Sequence, residues 1–126
     1  MRIDNKSTQP IFIQIAHQIE ENILAGVFEE ESQVPSTTEL STTLKINPQT
    51  VLKGMNLLVD EGILYKKRGL GMFVTVGSVN KIHKKRKSEF LTSYIDALIS
   101  EAKTLEISSE ELRTEIEKRY KDDRTS

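Results

Sequence analysis

Cysteine is absent from the 126 residues, which removes disulfides and thiolate metal sites and fits a reducing cytoplasmic compartment. Histidine occurs only as His17 and His83, without the clustering a metal centre or catalytic triad requires, so no metal, no cofactor and no enzymatic activity are expected. No apolar run approaches the roughly 20 residues of a membrane span, and the opening Met1-Arg2-Ile3-Asp4-Asn5-Lys6 lacks the hydrophobic stretch of a signal peptide. An excess of positive charge is missing too: the formal net charge is -1, which argues against a uniformly polyanion-binding surface. Beyond Gly77 there is neither glycine nor proline, and that part is expected to be helical throughout.

What is present fits one small core with an appendage, since domains usually run about 50–200 residues. Hydrophobic residues make up 37% and charged residues 29%, a balance that supports an ordered chain. Charge is local. Lys66-Lys67-Arg68 and His83-Lys84-Lys85-Arg86-Lys87 are basic, whereas Glu29-Glu30-Glu31 and the C-terminal stretch are acidic.

Over residues 10–25, Ile11, Ile15, Ile19 and Ile23 recur every four positions, and Phe12, Ala16 and Leu24 widen the same stripe. Pro10 suits the first turn of that helix and Gly26 its end. Ser36 followed by Glu39 is a capping box that opens a short second helix with Leu40 and Leu44 on one face, ending near Lys45. Asn47 as N-cap and Pro48 at the first helical position begin a third helix, whose apolar stripe is Val51, Met55, Leu58 and Val59. So tight a junction between two helices predicts a helix-turn-helix.

Gly62 ends the third helix. Ile63-Leu64-Tyr65 and Met72-Phe73-Val74-Thr75-Val76 read as strands of a hairpin, linked by Lys66-Lys67-Arg68-Gly69-Leu70-Gly71. After a boundary at Gly77-Ser78, Phe90, Leu91, Tyr94, Ile95, Leu98, Ile99 and Ala102 mark one long helix. Ser108 and Glu111 cap another, with Leu112, Ile116 and Tyr120 on its apolar face and a frayed end beyond Tyr120. The expected fold is therefore mainly α with a small β-hairpin: a winged helix-turn-helix over residues 1–77 and a helical dimerisation extension over 78–126.

A helix read against base edges presents short polar side chains at its N-terminal end, and Asn47, Gln49, Thr50 and Lys53 meet that need. Ser36, Thr37 and Thr38 are candidate phosphate donors, while Lys66, Lys67 and Arg68 with Gly69, Leu70 and Gly71 form a basic tip able to approach a groove closely. Each has a plainer alternative as a helix cap, a solvated helix face or a hairpin turn. It is their order and spacing that point to double-stranded DNA.

In that order the segment 10–76 resembles the winged helix-turn-helix domain of the GntR family of bacterial transcription regulators. The resemblance rests on Pro10-Ile11-Phe12-Ile13-Gln14-Ile15-Ala16, Val34-Pro35-Ser36 with Glu39-Leu40, Ile46-Asn47-Pro48-Gln49-Thr50-Val51, Glu61-Gly62 and Arg68-Gly69-Leu70-Gly71-Met72-Phe73-Val74. Asn-Pro-Gln-Thr-Val and the short tail are similar to the YtrA-like subgroup. The resemblance implies a repressor of neighbouring transporter genes, with Ser36 and Thr38 on the DNA backbone, Gln49, Thr50 and Lys53 in the major groove, and residues 68–71 in the minor groove. The chain departs from the family at Thr38, Pro48 and Leu52, where arginines are common, and at Lys45, the usual turn glycine. Glu30 and Glu31 replace the usual Pro-Gly.

Two tail helices cannot enclose both so broad an apolar stripe and a ligand pocket of about 300 Å³. Phe90, Leu91, Tyr94, Ile95, Leu98, Ile99, Leu112, Ile116 and Tyr120 are accordingly expected to form a homodimer interface, matching a palindromic operator. The alternative is that they fold back as monomer core. A winged-helix module that binds protein rather than DNA is the competing function, and the sequence names no small-molecule effector.

Overall fold

The computed structural model describes residues 1–122. Helix α1 (Ile11–Leu24) buries Ile15, Ile19 and Ile23, the fourfold repeat, against α3 (Pro48–Asp60), which turns Val51, Met55 and Leu58 to the same core. Pro10 stands one position earlier than expected, as the N-cap with extended ψ of 145°, so its missing N–H falls outside the helix. The crossing is close because α3 carries Gly54 there: a Cβ at that position would lie 2.7 Å from the Phe12 carbonyl oxygen.

Helix α2 (Thr37–Leu44) opens on the predicted capping box: Ser36 Oγ accepts from the Glu39 amide at 3.0 Å, and Glu39 Oε1 accepts from the Ser36 amide at 3.3 Å. It closes on Lys45, held in the left-handed region at φ 56°, with the Ile46 amide reaching back to the Ser41 carbonyl at 3.1 Å. Without glycine this turn costs about 1 kcal/mol. Asn47 then caps α3 by accepting from the Gln49 amide at 2.8 Å. Gly62 ends α3 with paired bonds from Gly62 to Val59 and from Ile63 to Leu58.

Strands β1 (Leu64–Lys67) and β2 (Gly71–Val74) pair antiparallel in the register Leu64↔Val74 to Lys67↔Gly71. The ladder lies nearer the tip than predicted. Lys66 and Lys67 belong to β1, while Thr75 and Val76 leave β2 because the chain turns there, the Ser78 amide bonding the Thr75 carbonyl at 3.1 Å. The other edge of β2 is also covered. Glu31 and Val34 donate to Val74 and Met72, and Val74 donates to Ser32, so the connection ahead of α2 acts as a third strand.

Helix α4 (Ser78–Phe90) follows Gly77 directly, and Ser78 and Ile82 are buried in the winged-helix core. The Ser78 hydroxyl donates to the Ile63 carbonyl at 2.8 Å. The Glu30 carboxylate accepts from the amides of Gly77, at 2.9 Å, and Val79, at 3.0 Å. Those two bonds hold its carboxyl below the ordinary value, that from Gly77 contributing most. This first compact unit comprises Met1–Lys84, reaching past the division expected after Gly77.

The second unit begins at Lys85. The single long helix expected there is instead α4, a π-helical stretch Leu91–Ile95 and α5 (Asp96–Thr104). An apolar stripe repeating every fourth residue slides around a helix of 3.6 residues per turn, and a widened turn takes up that drift. Phe90 and Tyr94 face each other across it with ring centroids 5.2 Å apart. Glu106, at φ 59°, reverses the chain into α6 (Ser109–Asp122), capped by Ser108, whose Oγ accepts from the Glu111 amide at 3.1 Å. The helix continues past Tyr120 where fraying was expected, with Glu115 and Arg119 paired along it, and residues 123–126 lie outside the described part. Among the described residues no helix is long and apolar enough to cross a membrane.

Candidate nucleic-acid interface

Because Val51, Gly54, Met55 and Leu58 turn one face of α3 inward, the 3.6-residue repeat leaves Gln49, Lys53 and Asn56 toward the other. Gln49 and Lys53 are exposed and Thr50 is half-buried at the first turn. Lys53 is held in place: its Nζ lies 4.2 Å from the centroid of the Phe12 ring. Phe12 thus departs from the core role assigned to it and becomes a platform for a cation. Together these side chains edge an open depression of about 570 Å³, with Leu52, Leu57 and Asp60 completing its rim. Asn56 Oδ1 is buried there without a hydrogen-bond partner. Asn56 sits two turns beyond Gln49, outside the N-terminal turn where short polar residues mark a base-reading helix in sequence.

At the start of α2 the three predicted donors part company. Thr38 is exposed, Ser36 is engaged in the cap, and the Thr37 hydroxyl turns inward to Met55 Sδ at 3.6 Å. Asn47, likewise a cap, remains exposed.

In the wing the period of two separates the basic residues. Tyr65 and Phe73 stack across the strands with centroids 5.8 Å apart, and Lys67 Nζ sits 4.5 Å over the Phe73 ring. Lys66 and Arg68 are exposed outside that stack. Arg68, Gly69 and Leu70 form the loop, with the Leu70 amide bonding the Lys67 carbonyl at 2.9 Å and Gly69 at φ 79°, the signature of a type II turn. Leu70 is 63% exposed. Gln33 reaches this loop from ahead of α2, and pattern reasoning on the wing alone had no means of finding it.

Capped α2, a tight turn, α3 with a polar outer face and a basic wing therefore share one compact unit. Residues 13–74 match the bacterial regulatory proteins of the gntR family. Over 88% of its length the chain also superposes on a GntR-family transcriptional regulator from Bacteroides thetaiotaomicron, at 33% identity and a TM-score of 0.76, covering 96% of that structure. The chain belongs to the GntR family. Within it, the chain is similar to the transcriptional repressor YtrA of Bacillus subtilis, at 37% identity over 75 residues, or 60% of this chain. It spans 58% of that relative's length. The winged unit is also similar, at 26% identity and a TM-score of 0.53, to the DNA-binding domain of AraR, solved in complex with an operator; the match covers 58% of this chain and 89% of that one.

In the second unit of this GntR-family chain the predicted apolar set is largely uncovered. Phe90, Leu91, Tyr94, Leu98, Ile99, Ile116 and Tyr120 are exposed, Tyr94 by 67% and Tyr120 by 82%, while Ile95 and Leu112 are half-buried. Ile95, Leu98, Ile99, Leu112 and Ile116 line an open apolar groove of about 370 Å³ beside Ala102 and Ile107. No group of three or more His, Cys, Asp or Glu capable of holding a metal occurs among the described residues.

Proposed function

We propose that the chain is a sequence-specific DNA-binding regulator, a cytoplasmic repressor that occupies a palindromic operator as a homodimer. The observation that carries the reading is the outer face of α3, where exposed Gln49 and half-buried Thr50 lie in the first turn and the Phe12-braced Lys53 one turn further on. In this reading Gln49, Thr50 and Lys53 lie in the major groove, where Gln49 and Thr50 read base edges, and Ser36 and Thr38 meet phosphates. The wing lays Lys66, Arg68 and residues 69–71 along the neighbouring minor groove. AraR, whose DNA-binding domain was solved on an operator, and YtrA, named a repressor, support it by likeness.

The first unit, Met1–Lys84, then acts as the reader and the chain beyond it as the dimerisation tail, burying its apolar face against a second copy. No catalytic role is assigned. Fluorescence anisotropy with DNA from upstream of the protein's own gene tests the reading. Binding that is selective over scrambled DNA and weakens steeply with salt is expected; equal affinity for both DNAs would refute it.

A further inference from the structure

Gln33 lies immediately before the Val34-Pro35-Ser36 lead into α2, and its side chain crosses to the wing. Its Nε2 donates to the Leu70 carbonyl at 2.5 Å, joining residues 37 apart in sequence. Leu70 also donates its own amide to the Lys67 carbonyl at 2.9 Å, so both backbone polar groups of this exposed residue are bonded. Space for the carboxamide is reserved by Gly71, at φ 116°, where a Cβ would stand 2.8 Å from Gln33 Nε2. The Gln33 backbone is itself bridged to Phe73 on the outer edge of β2. The carboxamide is thus a strut from the lead-in of α2 to the loop that carries Arg68.

We infer that Gln33 is a positioning residue for DNA recognition, holding the Arg68-Gly69-Leu70 loop in its binding conformation before DNA arrives. A short hairpin loop is otherwise prone to local opening, and ordering it on binding would subtract from affinity. The inference rests on the DNA-binding reading above. Gln33 is exposed, so its loss leaves the fold intact.

The test is a double-mutant cycle on the full chain, using an operator fragment defined by footprinting and anisotropy read over a salt series. Gln33→Ala is expected to weaken operator binding about fivefold, the loss of one hydrogen bond's worth of order. Gln33→Glu should do at least as much, since a carboxylate cannot donate to the Leu70 carbonyl. In an Arg68→Ala background, Gln33→Ala should add less than about twofold, because the strut then holds a loop that has lost its contact. Amide relaxation of Gly69 and Leu70 in the DNA-free protein should show greater mobility in Gln33→Ala at an unchanged melting temperature. Undiminished affinity in Gln33→Ala, or full additivity with Arg68→Ala, would overturn the inference while leaving DNA binding standing. Failure of the wild-type chain to select any operator would overturn both.

Discussion

Gly54 occupies the middle of α3, where alanine is the better helix former by about 1 kcal/mol. Packing reverses that preference. A methyl group there meets the Phe12 carbonyl oxygen at 2.7 Å and the Ile15 side chain at 3.2 Å, both belonging to α1. Gly54→Ala should therefore destabilise the fold by about 1–3 kcal/mol, the usual range for overpacking, measured by urea denaturation. A stabilised variant would mean that the two helices separate at little cost. Gly54 was invisible to the periodic reading, which tracks apolar residues and has no term for a side chain that must be missing. The caps were legible, because Ser36, Glu39, Asn47 and Pro48 act on neighbours two or three residues away. Gln14 shows the opposite case. It is buried, and its amide nitrogen donates to the carbonyls of Asp4 and Gln9 at 3.0 Å, partners no local pattern could assign. The three wing cations likewise looked equivalent in sequence, until the aromatic stack separated Lys67 from the others. We expect Lys66→Ala and Arg68→Ala each to reduce the salt slope of operator binding by about 1, and Lys67→Ala to reduce it less while loosening the hairpin. Three equal slopes would refute the distinction.

Among the elements, the connection between α1 and α2 does more than its acidic composition predicted. Its residues 31–34 line β2, and Glu30 caps α4. The element types were legible from period and caps, whereas this use of a charge run was not, since the amides it satisfies lie far along the chain. Glu30 has its carboxyl lowered in the folded state by bonds from Gly77 and Val79. Its stabilisation is thus fully present above the ordinary carboxylate value of 4.5 and is lost as pH falls through the lowered folded value. Denaturation midpoints of wild type and Glu30→Gln should differ at neutral pH and converge under acid. A gap that persists in acid would show that the carboxylate charge is irrelevant. The π-helical stretch within the tail was also illegible. A strict fourfold repeat reads as an ordinary helix until its drift is followed over several turns.

For the molecule as a whole, the proposed function requires a chain with net charge -1 to bind a polyanion through placement of charge, and association of two chains would double the contacts available to one operator. The exposed tail residues are the surface we assign to that association. Tyr94→Glu and Leu98→Glu should convert a dimer to a monomer in sedimentation equilibrium and weaken operator binding at least about tenfold. A dimer that survives both changes would place the interface elsewhere. The Glu30 cap bears on the whole first unit in another way. Amides at the N-terminal end of a helix, from the residue ahead of it through its first turn, lack partners within that helix and ordinarily exchange with solvent deuterium early. Those of Gly77 and Val79 are tied to a carboxylate 47 and 49 residues upstream. They should therefore exchange only when the unit opens as a whole, and in Glu30→Gln they should become early exchangers while the core of α3 keeps its protection. The start of α4 would in that sense be clocked by the unfolding of the first unit.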